Sequence, residues 1–179
     1  PSVARLELRF LGPFQAQLNG EPVAGFESNR VRALLAYLAV EADRPHHREV
    51  LAGLLWPDAS GRTAQNNLRQ AISNLRYALG DRALRGIRES PPPFLLITRD
   101  TLQFNPAADV WLDVRAFEEA ARAASQAGSA GAAPLTTQWR IEHLERASGL
   151  YRGDFLEGCY FTGSVVFEEW TLLLRERLN

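Results

Sequence analysis

The chain has 179 residues, 46% of them hydrophobic and 23% charged, the balance of a folded globular protein rather than a disordered one. Its formal net charge is −1 and all 20 basic residues are arginine, so neither a P-loop lysine nor a Schiff-base lysine is present, and no cofactor is expected. One cysteine excludes an internal disulfide, and no apolar run approaches the roughly 18 residues of a membrane span, so a cytoplasmic location without membrane contact is expected.

The charge is unevenly placed. Up to Asn105 there are 13 arginines against 10 acidic residues, and beyond it 7 against 11. Between Arg62 and Arg99, 7 arginines face only Asp81 and Glu89, which concentrates positive charge in one stretch.

In chain order, Val3 to Phe10 alternates Leu6, Leu8 and Phe10 with Arg5, Glu7 and Arg9, the pattern of a half-buried strand. Gly12-Pro13 breaks it. Phe14, Ala16 and Leu18 resume the alternation up to Asn19-Gly20, a strong hairpin signal, and Pro22-Val23 offers a short returning strand, so a small antiparallel sheet is expected first. Ser28 can cap a first helix with Val31, Leu34, Leu35 and Leu38 at helical spacing. After Asp43-Arg44-Pro45, the segment from His46 to Trp56 is expected as a short second helix burying Val50, Leu51, Leu54 and Leu55. Trp56 is expected at the joint with the helix that follows.

That third helix, from Ser60 as cap to Gly80 just past its end, is the most informative stretch. Ala64, Leu68, Ala71, Ile72, Leu75, Ala78 and Leu79 share one face at about 100° per residue. The other face carries Arg62, Asn66, Arg69, Gln70, Ser73, Arg76 and Tyr77 with no acidic residue among them. Arginines, amides and hydroxyls hydrogen-bond base edges and phosphates well, whereas a solvated surface helix usually mixes in acidic residues. Both a DNA-reading helix and a solvated amphipathic helix fit this face taken alone.

A basic loop at residues 83–90 and Pro91-Pro92-Pro93 lead into two β-rich runs, Phe94 to Thr98 and Thr101 to Phe104, expected to form a hairpin with Arg99 at its tip. A hairpin directly after a recognition helix reads as the wing of a winged helix, with Arg99 near phosphate or a minor groove, or else as one that merely closes a sheet. Asn105 to Asp109 is expected as a linker. The rest reads as helical: Asp113 onward, a flexible loop at residues 128–134, Gln138 to Tyr151, and Phe167 to Leu178. Among the large aromatics here, Trp111, Trp139 and Trp170 are expected in the core, with Trp111 fixing the helical part against the first part.

No catalytic constellation is evident, and the chain is expected not to be an enzyme. Adjacent His46 and His47, taken as helical, point about 100° apart and suit no metal site. His143 is isolated, Cys159 has no activating neighbour, and the consecutive acids Glu118-Glu119 and Glu168-Glu169 face different directions on a helix. Arg152-Gly153-Asp154 reads as a turn closing a helix.

Several motifs in order carry a family resemblance. Leu55 to Asp58 (LWPD), Asn67 to Arg69 (NLR), Ile72 to Arg76 (ISNLR), the ALG that follows and Asp109 to Glu118 (DVWLDVRAFE) resemble the Streptomyces antibiotic regulatory protein family. Leu150 to Gly158 (LYRGDFLEG) and Phe167 to Leu178 (FEEWTLLLRERL) resemble that family's bacterial transcriptional activator domain. The resemblance implies an α+β chain. It would have an OmpR/PhoB-type winged helix-turn-helix over residues 1–105, with a small N-terminal antiparallel sheet and a C-terminal wing hairpin. The N-terminal part of an all-helical, tetratricopeptide-like activator domain would follow over residues 106–179.

The function it implies is a DNA-binding transcriptional regulator that activates from promoter direct repeats, binds double-stranded DNA as two or more copies and recruits RNA polymerase. Base-facing positions would be Arg69, Gln70, Ser73 and Asn74, and phosphate-facing positions Asn66 and Arg76, although the recognition helices of this type usually carry several arginines where Ser73 and Asn74 stand. Only about half of the family's helical domain would be present, so the chain is expected to belong to something longer. The alternative is a protein-interaction module whose winged helix does not bind DNA.

Overall fold

The computed structural model describes residues 4–81, 92–126 and 135–178. The expected basic loop at residues 83–90 and flexible loop at residues 128–134 lie outside these. Strands β1 (Leu6–Arg9), β2 (Gly12–Pro13), β3 (Gln15–Leu18) and β4 (Glu21–Pro22) come first. β1 and β3 pair antiparallel with Leu8 opposite Ala16. Asn19 and Gly20, at φ 53° and 85°, make the tight turn into β4 that their sequence predicts.

Helix α1 (Asn29–Val40) starts at Ser28, whose hydroxyl accepts a hydrogen bond from the Val31 N–H, and it buries Val31, Leu34, Leu35 and Leu38. The next segment departs from expectation. His46 and His47 form a short strand, β5 (His46–His47), and α2 begins only at Arg48 (Arg48–Leu55). The partner that decides this lies far along the chain. β6 (Leu95–Ile97) and β7 (Thr101–Phe104) make the expected hairpin, and β7 pairs with β5, His46 opposite Leu102. His46 is buried with Nε2 2.8 Å from the Glu41 carbonyl oxygen, so its ring is a packing element. Between α2 and β6 runs α3 (Gly61–Ala78), which packs on α1 and α2 through Ala64, Leu68, Ala71, Ile72 and Leu75. Trp56 closes the α2 end at the joint, packed against the core.

The stretch after residue 105 does not begin a separate core. β8 (Val110–Leu112) joins β1 in parallel, giving a sheet of order β4-β3-β1-β8, so the first sheet is mixed rather than purely antiparallel. Then follow α4 (Asp113–Gln126), α5 (Leu135–Leu150), β9 (Phe155–Glu157) and α6 (Val165–Leu178). α4 and α5 pair with each other, β9 pairs in parallel with β2, and α6 packs on α2 and β9. Leu112, Phe155, Phe167 and Leu174 lie in one hydrophobic cluster with Leu8, Leu34 and Leu55. A cut at residues 105/106 therefore crosses a continuous core, because β1 offers its second edge to a strand from beyond that point.

Trp170 docks α6 on the first part. Its ring meets Tyr37 and Phe155 at centroid distances of 5.0 and 5.4 Å, and its Nε1–H donates to the Glu41 carboxylate at 3.0 Å. Ser164 adds a hydrogen bond to the Leu54 carbonyl at the start of α6. Trp111 meets the first part nearer the linker, half-buried in β8 opposite Glu7 with the Arg9 guanidinium 5.0 Å above its ring, whereas Trp139, expected in the core, is exposed. At the α5 exit, Gly12 has φ +115° and a Cβ there would come within 3.1 Å of the Arg152 Cβ, so the crossing of β2 by the Arg152-Gly153-Asp154 turn requires glycine.

Asp113, 1% exposed, joins the two parts most directly. Its carboxylate accepts the backbone N–H groups of Phe10 and Leu11 at 2.9 Å. Burial raises its pKa, opposed by the N–H groups of Phe10, Leu11 and Val114 and by the charge of Arg152. Asp113→Asn leaves one oxygen for two N–H donors and is expected to cost about 1–3 kcal/mol in urea unfolding. A carboxyl with a raised folded pKa contributes stability that is complete below the ordinary carboxylate range and is lost as pH rises through the folded value. The wild-type advantage over Asp113→Asn should therefore be larger near about pH 4 than near about pH 7.

Candidate nucleic-acid interface

α3 begins where Ser60 Oγ accepts the Thr63 N–H, and it ends before Gly80, whose φ of 76° suits glycine just past a helix end. With its apolar stripe against α1 and α2, the remaining surface carries Arg62, Asn66, Arg69 and Gln70 exposed and Ser73 and Arg76 half-buried. Tyr77 is 71% exposed. Arg69 donates to the Asn66 side-chain oxygen at 3.1 Å, which orients the two groups side by side. The face expected from the helical period is therefore assembled as one surface.

Asn74 is the exception. It is 7% exposed; its Nδ2 donates to the Gly25 carbonyl at 2.7 Å and its Oδ1 accepts the Glu27 N–H at 3.1 Å. Both ends of the amide are engaged by the loop before α1, so Asn74 fastens that loop instead of facing outward. The base-facing role that the family resemblance implies for Asn74 is thus not met, because the loop before α1 packs over this position.

The hairpin is held to α3 by Asp81. This buried carboxylate accepts the N–H groups of Phe94 and Leu95 at 3.0 and 3.1 Å, at the entrance to β6. Burial raises its pKa, while the two N–H bonds and the nearby Arg76 charge favour the ionised form. At the other end of the hairpin, Thr98 Oγ1 accepts the N–H groups of Asp100 and Thr101 at 3.3 and 2.9 Å, which shapes the tight turn carrying exposed Arg99. Arg48 adjoins it: its N–H donates to the Asp100 carbonyl at 2.9 Å and its guanidinium to the Arg99 carbonyl at 3.3 Å. Sequence reasoning did not pick out Arg48, because only the pairing of β5 with β7 brings it to the hairpin tip.

Among the described residues no group of His, Cys, Asp or Glu is arranged to hold a metal ion, and no helix is long and apolar enough to cross a membrane. Cys159 is buried and its thiol pKa is raised by burial, which disfavours the reactive thiolate.

These features define a mixed α/β fold in which a short helix pair and an adjoining hairpin present a helix face of arginines, amides and hydroxyls. No family model matches the chain. Over 91 residues, half of the chain, it is 32% identical to the transcriptional regulatory protein EmbR of Mycobacterium bovis and of Mycobacterium tuberculosis. The matched stretch spans 23% of that protein's length. The solved structure of Mycobacterium tuberculosis EmbR in complex with a low-affinity phosphopeptide shares the fold, with a TM-score of 0.73 at 23% identity over 98% of this chain and 43% of that one.

Asp81→Asn tests the tie between α3 and the hairpin. It leaves one of the Phe94 and Leu95 N–H groups without an acceptor, and is expected to cost about 1–3 kcal/mol of stability. Hydrogen exchange should show those two amides losing protection before the amides of α1 do.

Proposed function

We propose that the chain is a sequence-specific DNA-binding transcriptional regulator of the winged-helix type, with α3 lying in the major groove and the β6–β7 hairpin as its wing. The observation that carries this reading is the exposed face of α3. Three arginines, two amides and a hydroxyl form one surface into which the helix itself contributes no acidic side chain. Arg69, Gln70 and Ser73 are the proposed base readers, with Arg62, Asn66 and Arg76 on phosphates. Arg99 at the hairpin tip contacts phosphate or the minor groove, as the wing of such a fold would. Asn74, engaged inward, is not among the readers. Similarity to a transcriptional regulatory protein supports the regulator role. The family resemblance in the sequence adds the finer reading: activation from direct repeats by two or more copies, with recruitment of RNA polymerase.

A second reading is favoured by a different surface. On α6, Val165, Val166, Leu172 and Leu173 are all more than half exposed, which suits a protein-interaction module. Binding to genomic duplex fragments at low and moderate salt separates the two.

Under the first reading, affinity falls steeply as salt rises, because arginine contacts release counterions from phosphates. Arg69→Ala and Gln70→Ala are expected to cost about 1–3 kcal/mol on the preferred site and to blur base preference, whereas Arg76→Ala weakens specific and random duplexes alike. Equal losses on both kinds of duplex for all three variants, measured by fluorescence anisotropy titration, would overturn these roles.

A further inference from the structure

The helical period of α3 contains no acidic residue on its exposed face, but the fold brings one to that face from elsewhere. Asn74 holds the loop before α1 by two hydrogen bonds, to the Gly25 carbonyl and from the Glu27 N–H. That fastening sets Glu27 on the rim of an open cleft that Gln70, Ser73, Asn74 and Tyr77 also line. Glu27 is exposed, and among the described residues no hydrogen bond or ion pair holds its carboxylate. Two of the cleft residues, Gln70 and Ser73, are residues proposed above to read bases.

A carboxylate beside a helix in the groove works against binding through its repulsion of phosphates. It favours a particular sequence only where a donor meets it. In the major groove, the donors on base edges are the exocyclic amino groups of cytosine and adenine. The acceptor-only chemistry of a carboxylate matches cytosine N4, while adenine is the natural partner of the two-sided amide of Gln70. Guanine O6 and thymine O4 present acceptors that a carboxylate repels.

We propose that Glu27 is a specificity-determining residue. It accepts a hydrogen bond from the N4 amino group of one cytosine in the bound site, and Asn74 is the positioning residue that holds it there. This rests on the reading of α3 as a groove-lying helix. Two consequences follow. The site must contain a cytosine whose recognition depends on a loop that precedes α1, not on α3 alone. Loss of Asn74 must act on the same base pair as loss of Glu27, although its side chain faces inward.

The test is selection of bound sites from a randomised duplex pool by the wild-type protein, followed by equilibrium titration of the selected site and its single base-pair replacements. Wild type, Glu27→Ala and Asn74→Ala are compared, each checked for folding by circular dichroism. The expected result is a cytosine whose replacement weakens wild-type binding about tenfold. That penalty vanishes in Glu27→Ala while penalties at the other positions remain. Asn74→Ala loses the same penalty, and the double variant loses no more than either single one. Should Asn74→Ala fail to fold, Glu27→Ala decides alone, since Glu27 lies on the surface. A uniform gain in affinity for every duplex in Glu27→Ala, with base preference unchanged, would overturn the inference and leave only phosphate repulsion. A selected site that keeps its full preference without Glu27 overturns it while leaving the DNA-binding function intact. Failure of the wild-type protein to bind any duplex at low salt overturns both.

Discussion

The arrangement depends first on one buried carboxylate. Asp113 stands at the start of α4 and takes the consecutive N–H groups of Phe10 and Leu11, where the chain leaves β1. A carboxylate removed from water is costly unless hydrogen bonds replace its hydration, and here the backbone supplies them. The same two bonds satisfy strand donors that have no ladder partner at that point. The chain beyond residue 105 is thereby tied to the sheet at the moment β8 enters it, and the later helices pack on an existing core. Asp81 repeats the device on Phe94 and Leu95, and there it couples the end of α3 to the entrance of the hairpin.

Around these ties the molecule leaves one face of α3 outward. α1 and α2 take its apolar stripe, while Trp170 and Ser164 bring α6 onto α1 and α2. Trp170 couples through contacts of two kinds, ring packing on Tyr37 and Phe155 and a hydrogen bond to Glu41, so the orientation of α6 is set as well as its proximity. The loop carrying Glu27 then borders the face of α3 through Asn74, and the hairpin is joined to the end of α3 through Asp81. A surface built this way combines residues far apart in sequence at fixed relative positions, which recognition of a defined partner requires.

Much of the local structure was legible along the chain. The Asn19-Gly20 turn, the Ser28 and Ser60 caps, the apolar stripes of α1 and α3 and the hairpin around Arg99 all follow from rules that act over a few residues. The outward stripe of α3 was equally legible, because helical period alone puts Arg69 and Gln70 opposite Leu68 and Ala71. The misplacements share a cause. The apolar spacing that begins at Val50 carries no mark of where its helix starts, and only β7, more than 50 residues later, makes His46 and His47 a strand. Asn74 likewise faces inward only because the loop before α1 packs against it, and the docking of α6 rests on the ring neighbours of Trp170, which no local pattern reveals.

The sequence by itself determined the Asn19-Gly20 turn, the capped starts of α1 and α3 and which side chains of α3 are polar, since these depend on backbone preference and on period. Tertiary structure alone decided where β8 pairs, that Asn74 faces inward, that Arg48 adjoins the hairpin tip and that Glu27 borders a face free of acidic residues of its own. Each of these is a meeting between segments distant in the chain, governed by strand edges in need of partners and buried polar groups in need of hydrogen bonds. The period of a single helix carries no information about either.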